Sequence, residues 1–321
     1  MQKTISFQTM LLLAGLLCFW LSSEVQATDR VVVIPMGSAK TLQNIVTVAK
    51  GNGKFTDPVA AVNSITDASA TNPYLVLIAP GKYTLTATMV MKPYVDITGS
   101  GENVTLLTGA ISSGNPDATS AIVKGANHAT LSNLSISNTG GNTYSIGIYN
   151  TGLGISSRLQ QVLTTATGGT INFGVLNETN SSPIMTDMNV IAGGGGTANA
   201  GVVNNINSSP IMTEVNIVII SAGTDNYGVY NIASSSPIMT GVNTAVSGGT
   251  TNYGVYNIDS ASPTIRRSSL AGATDGLANS SATATISQST ILNGVSGGGY
   301  KCVACDNGSG HYLDTSCATV P

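Results

Sequence analysis

The sequence predicts an all-β fold: a parallel β-helix, a solenoid of coils about 27 residues long. Three observations carry this. First, the hexapeptide Asn226-Tyr-Gly-Val-Tyr-Asn231 returns as Asn252-Tyr-Gly-Val-Tyr-Asn257 and, more loosely, as Asn172-Phe-Gly-Val-Leu-Asn177, Asn199-Ala-Gly-Val-Val-Asn204 and Ser145-Ile-Gly-Ile-Tyr-Asn150. The steps between copies are 27, 27, 27 and 26 residues. Second, Ser-Pro pairs ending at Pro183, Pro210, Pro237 and Pro263 keep the same period in a different phase. A fixed period of this size signals a solenoid, propeller or array. Third, no window shows helical spacing, and the 37 glycines would weaken any helix. A propeller blade needs about 40–50 residues, and the leucine-rich signature is absent. A circuit of about three short strands fits.

In such a coil, equivalent residues stack about 4.8 Å apart. Alternation along a strand then sorts them into faces. Ile148, Val175, Val202, Val229 and Val255 form an aliphatic column expected inside. Ile146, Phe173, Ala200, Tyr227 and Tyr253, two residues earlier, are expected on the same inner face. Asn150, Asn177, Asn204, Asn231 and Asn257 are expected to form an amide ladder at the bend. The glycines at 147, 174, 201, 228 and 254 then face out, as do Tyr149, Leu176, Val203, Tyr230 and Tyr256. In the Pro-Ile-Met-Thr strand both Ile and Met are apolar, so its inner face stays open.

From the start of the chain, residues 1–27 read as a signal peptide: Lys3, an apolar run from Leu11 to Leu21, and a small-residue cleavage site at Val25-Gln-Ala27. Eleven residues are too few to span a bilayer, and the mature chain is expected to be exported without a membrane span. Residues 28–44 form an N-terminal segment, and the β-helix is expected over 45–296. Within it, Asp57 suits a helix N-cap and Pro58 a first helical position, which predicts a short capping helix over 58–66. Such a helix would cover the exposed strand edges of the first coil.

The run from Ile45 to Val62, Ile-Val-Thr-Val-Ala-Lys-Gly-Asn-Gly-Lys-Phe-Thr-Asp-Pro-Val-Ala-Ala-Val, resembles the opening of a pectin methylesterase catalytic domain. Leu75-Val-Leu-Ile-Ala-Pro-Gly-Lys-Tyr83 and Val95-Asp-Ile-Thr-Gly-Ser-Gly-Glu-Asn-Val-Thr-Leu-Leu-Thr-Gly109 continue the likeness, over about a fifth of the chain. The resemblance implies the right-handed β-helix of the pectin lyase-like superfamily. The family's chemistry does not carry over. Leu85 stands where its Gly-x-Tyr-x-Glu motif has the acid, and Gln-Asp-Thr-Leu, Asp-Phe-Ile-Phe-Gly and Gly-Arg-Pro-Trp have no counterpart.

Regular repeats occupy about 145–270, preceded by looser strand candidates and followed by one more coil near Ala284–Leu292. The tail, 297–321, holds Cys302, Cys305 and Cys317. In an exported chain these predict one disulfide and a spare thiol. Cys302-x2-Cys305-x5-His311-x5-Cys317 would also offer four zinc ligands. His128 reads as structural.

Two further groups are candidate sites. Four residues after the repeat prolines stand Asp187, Glu214, Gly241 and Arg267, with Arg266 an equal match for the last because of the 26-residue step. Stacked acids about one strand spacing apart can raise a carboxyl pKa or hold a hard cation, which makes Asp187, Glu214 and Arg267 weak catalytic candidates. As solvated surface residues they would do neither. Tyr149, Tyr230 and Tyr256 on the outward column suit stacking against sugar rings.

With 8% charged residues, a net charge of −3 and no basic run, nucleic acid is not an expected partner. No cofactor or resident metal is expected. The functional expectation is an exported, secreted or surface β-helix that binds polysaccharide or a cell-surface protein without catalysis, since repetition makes a stripe whereas catalysis needs local departure from the repeat. The alternative is a polysaccharide-active lyase, hydrolase or esterase of the pectin lyase-like class.

Overall fold

The computed structural model describes residues 44–320; the leader expected at 1–27 and nearly all of the segment at 28–44 lie outside the described residues. The chain winds into a parallel β-solenoid with two stacked sheets, one of sixteen strands and one of ten. Strands Tyr144–Thr151, Ile171–Glu178, Ala198–Asn205, Asp225–Asn231 and Thr251–Ile258 pair in parallel and in register within the smaller sheet. This is the asparagine sheet below. The strands that follow each Ser-Pro pair build the larger one, the proline sheet, with Ile184–Ala192 on Ile211–Ile220.

Each proline-sheet strand is folded into two legs. The corner residues Asp187 and Glu214 have φ of 51° and 52°, the left-handed conformation. One coil on, Gly241 (φ 64°) divides the strand outright into Ile238–Thr240 and Asn243–Ser247. Two legs and one asparagine-sheet strand give the three short strands per circuit that the period implies. A second bend follows the asparagine strands from Ile171–Glu178 onward, where two consecutive residues are left-handed: Thr179 and Asn180, Ile206 and Asn207, Ala233 and Ser234, Asp259 and Ser260. Serine hydroxyls tie these bends from coil to coil, Ser181 N–H donating to Ser208 Oγ and Ser208 N–H to Ser235 Oγ, at 3.0 and 3.1 Å.

The core is a set of columns. One runs the length of the proline sheet through Val46, Val76, Ile97, Leu131, Leu159, Met185, Met212, Met239, Ile265, Ile286 and Cys302, each paired in register with the next. All are buried. Methionine is therefore the inward residue of the Pro-Ile-Met-Thr strand. Facing it across the interior stand Ile148, Val175, Val202, Val229 and Val255, fully buried as the aliphatic column predicts. The short helix Pro58–Asn63 caps the first coil, with Asp57 Oδ1 accepting from Val59 N–H at 2.9 Å and Ala61 and Val62 joining the core. It ends three residues short of the expected 66: Ser64 N–H closes the last i→i−4 bond, to Ala60 O, and Ile65 N–H bonds Val62 O, only three residues back.

The asparagine ladder forms. Nδ2 of Asn150, Asn177, Asn204, Asn231 and Asn257 each donates to Oδ1 of the next member, ending at Asn279, over 2.8–2.9 Å. Every member of that chain is buried. At its lower end Gly125 leaves the room that Asn150 needs: a Cβ there would lie 2.2 Å from Asn150 Oδ1. A second ladder, not anticipated, runs at the opposite end of the same strands through Asn172, Asn199, Asn226 and Asn252, at 2.9–3.0 Å.

The parity of the asparagine sheet requires a correction. Ile146, Phe173, Ala200, Tyr227 and Tyr253 do not share the inner face with the valine column; the first four belong with Tyr149, Leu176, Val203 and Tyr230 to a separate apolar cluster on the outer face, and Tyr253 stacks with Tyr256 on that same side. The glycines point inward. A Cβ on Gly174 would lie 2.3 Å from Val190 Cγ1, and one on Gly201 2.2 Å from Ile217 Cγ2. Glycine and the following valine both turn inward, so strict alternation slips by one. Only a residue without Cβ can sit that close to the opposite leg.

Asn204→Ala should leave Asn231 Oδ1 buried without a partner and Asn177 Nδ2 with only the weak Met185 sulfur acceptor, a loss of about 2–4 kcal/mol. Asn243→Ala, in an exposed amide row where Asn243 Nδ2 donates to Asn216 Oδ1, should cost less than about 1 kcal/mol. Urea unfolding of both variants decides this; equal losses would show that the ladder contributes no more than a surface contact.

Candidate functional site

The outer face of the asparagine sheet carries the structure's aromatic concentration. Because the strands are in register, Tyr227 stands over Tyr253 and Tyr230 over Tyr256. The glycine slip then brings the two columns together. Ring centroids of Tyr227 and Tyr230 lie 4.6 Å apart and those of Tyr253 and Tyr256 5.1 Å apart, with interplanar angles of 15° and 18°. Across coils, Tyr227–Tyr256 and Tyr230–Tyr256 lie at 5.5 and 5.6 Å. The four rings form a stacked platform two coils high.

Towards the N-terminus the same face closes over. Ala121, Ile146, Tyr149, Leu176, Ala200 and Val203 are buried, with Ala118, Phe173, Tyr227 and Tyr230 packed against them. Of the three tyrosines singled out from the sequence, the structure brings Tyr230 and Tyr256 together and leaves Tyr149 three coils away. Tyr149 is 8% exposed, and its hydroxyl donates to Glu178 Oε2 at 3.1 Å. Tyr227 and Tyr253 complete the platform. The signal for them was present in the Asn-Tyr-Gly-Val-Tyr-Asn spacing but depended on knowing which way the glycine turned.

The platform's environment is apolar and acidic. Burial pushes the Tyr227, Tyr230 and Tyr253 phenols above the usual tyrosine range, and negative neighbours add to this: Asp225 for Tyr227, Asp259 for Tyr230 and Asp275 for Tyr253. Asp225 is positioned by the Thr251 hydroxyl, which donates to its Oδ1.

The acid and arginine column lies elsewhere. Asp187, Glu214, Gly241 and Arg267 occupy one corner of the proline sheet, and Arg267 rather than Arg266 belongs to it, since Thr240 pairs with Arg266. Asn133, Gln161, Gln288 and Ala304 are left-handed too, as are all four of these residues. A backbone bend, repeated at every coil, thus dictates the position. Asp187, Glu214 and Arg267 are exposed, and Glu214 lies over Gly241, where a Cβ would come 2.4 Å from its Oε1. His128 stacks on Tyr94 with ring centroids 4.9 Å apart.

In the tail, Cys302 and Cys317 are bridged with Cα atoms 5.3 Å apart, and Cys305 is a buried free thiol. The bridge takes two sulfurs from the four-ligand zinc set. It fastens the tail over the final coil, where Leu313 N–H donates to Cys305 O and Cys302 N–H to Thr315 O. A cavity of about 310 Å³ opens beneath the tail, lined by Leu292, Asn293, Val295, Leu313 and Cys317 among others. No charged or aromatic side chain lines it, and it is a packing gap under the cap. The tyrosine platform is the stronger candidate.

No family model matches the sequence, and no curated protein matches it. The fold is similar to that of solved structures. Pectin methylesterase from Aspergillus niger in deglycosylated form matches at 17% identity and a TM-score of 0.52, over 88% of this chain and 89% of that one. Pectin methylesterase from carrot matches at 13% identity and a TM-score of 0.50, over 79% and 84%. At these identities the likeness is one of fold, and it agrees with the right-handed β-helix that residues 45–109 imply.

Cys317→Ser should lower stability by about 3 kcal/mol, the loop-closure value for a crosslink of this span, and expose the tail to limited proteolysis. Peptide mapping without reduction should find Cys302 joined to Cys317 and Cys305 free; a bridge through Cys305 would overturn the pairing. Tyr227, Tyr230 and Tyr253 make a separate prediction. Their native phenols keep protons that an unfolded chain releases near pH 10, so their contribution to stability is complete below that pH and declines as pH rises beyond it. Alkaline titration of phenolate absorbance should therefore lag in the native protein relative to the denatured one. Coincident curves would place the rings in water.

Proposed function

We propose that this chain is an exported β-helix protein that binds polysaccharide, without catalysis, through the tyrosine platform of its asparagine sheet, as a secreted or cell-surface module. The carrying observation is the set of four stacked tyrosines on the outer face of a rigid, in-register sheet. Aromatic faces match the apolar faces of sugar rings, and phenol edges supply hydrogen bonds. Equivalent rings on neighbouring coils lie 5.6 and 6.1 Å apart, so one glycan chain can contact both coils. Export is supported by the leader-like residues 1–27 and by the Cys302–Cys317 bridge, a bond that persists in oxidising compartments. Among the described residues, no helix is long and apolar enough to cross a membrane.

Each stacked contact contributes on the order of 1 kcal/mol. One platform therefore binds weakly, and retention grows when several copies engage one polymer. Replacing Tyr253 and Tyr256 together with alanine should abolish retention in glycan-affinity electrophoresis and cost about 2–4 kcal/mol of stability, because both rings are only partly exposed and stack on their neighbours. The double phenylalanine variant should keep most of the retention. Retention that survives the alanine pair would remove the platform from the function. New reducing or unsaturated ends in the same samples would replace binding by catalysis.

A further inference from the structure

Resting on the binding face proposed above, we infer that its ligand is an uncharged glycan, and that Asp225, Asp259 and Asp275 exclude polymers of uronic or sulfated sugars. The three acids frame the rings. Asp225 lies on the same strand as Tyr227, two residues before it on the same face, and pairs in register with Thr251. Asp275 pairs in register with Tyr253, so the ring column ends on a carboxylate at the next coil. Asp259 opens the left-handed turn after the strand that carries Tyr253 and Tyr256. Each acts electrostatically on a platform phenol.

Among the described residues, the strands of this sheet place no cation beside them. Within the strands of this sheet the basic residue is Lys124, which pairs with Tyr149 at the opposite end of the face. Four coil steps separate Lys124 from Tyr230 along the register, roughly 19 Å at the strand spacing. That exceeds the screening length of about 8–10 Å at physiological salt.

The consequences for a sugar differ by charge. A neutral residue stacked on the rings offers hydroxyl donors at its rim, and ionised carboxylates accept such bonds more strongly than neutral acceptors do. A uronate residue brings one carboxylate per ring to a site already bordered by three, with no guanidinium or ammonium to receive it. Like charges set against each other at an interface act as a filter against the wrong ligand.

The test uses the full mature chain, affinity electrophoresis and four probes: xylan, galactan, mixed-linkage β-glucan and polygalacturonate. At least one neutral polymer should retain the protein, and polygalacturonate should do so about tenfold more weakly or not at all at low salt. The triple variant Asp225→Asn, Asp259→Asn, Asp275→Asn should narrow that gap by gaining polygalacturonate binding. Asparagine is isosteric and accepts the left-handed backbone at 259, so the variant should fold. Polygalacturonate binding as tight as that of any neutral polymer, lost in the Tyr253→Ala, Tyr256→Ala protein, would overturn the charge filter and leave the platform standing. Retention by no probe, or retention indifferent to those tyrosines, would overturn the platform and the filter together.

Discussion

Each coil of this protein is keyed to the next by side-chain amides buried where no water can replace them. An asparagine inside a β-helix has two donors and an acceptor with two lone pairs to satisfy, and a buried amide left unpaired costs about 1–3 kcal/mol. Stacking the same residue at the same height solves this at a stroke: Nδ2 of one coil donates to Oδ1 of the next. The solution works only at one register. Slipping a coil by one residue would break both amide ladders and turn every column to the other face. The two ladders, at opposite ends of the same strands, therefore act as a double lock on the 27-residue period. Stability in such an array is a sum over neighbouring coils, and the amides make each interface selective as well as cohesive.

Much of the fold was legible because it repeats. The valine column, the Asn150 ladder, the Asp57 cap and the tail crosslink each follow from residue type plus position, and each occurs where those rules place it. What escaped was the glycine. A period-two rule assumes that each residue carries a side chain that must choose a face, but Gly201 has none, and it lies against Ile217 while Val202 also turns inward. One missing Cβ moves the residue two places before the valine from the inside to the outside. That is how Tyr227 and Tyr253, read as core, come to complete the platform of which Tyr230 and Tyr256 were already a part. The Asn172 ladder was hidden for a related reason: its members open the hexapeptide next to the Gly-rich bend, where surface asparagines are equally at home.

The corner column teaches a second point about reading sites from repeats. Asp187, Glu214 and Arg267 attract attention because charges recur at one phase. Yet the residue held constant at that phase is a backbone conformation, φ near +50°, shared by Asn133, Gln161, Gly241 and Gln288. Any residue that tolerates the left-handed region can stand there, and charged residues do so readily because the corner faces water. The tyrosine columns differ in kind. Nothing in the backbone at 227, 230, 253 or 256 calls for an aromatic ring, since the same places carry Ala200 and Val203 one coil earlier. A side chain that the bend demands is explained by the fold. One that the fold leaves free, and that is large, apolar and stacked on the outside, asks for a partner.

The ends of the solenoid complete the physical account. A column core has no natural stopping point, so an open last coil would expose both a strand edge and the end of the apolar stack. At the N-terminal end Ala61 and Val62 of the short helix close the core. At the other end the register distance between stacked residues contracts, from Met239–Ile265 through Ile265–Ile286 to Ile286–Cys302. The final member of the methionine column is a cysteine, and its sulfur is bonded to the tail. Closing the stack with a covalent bond to the covering segment joins cap and core at one atom. It leaves the asparagine sheet free of any capping duty, and its C-terminal coils present their tyrosines to the outside.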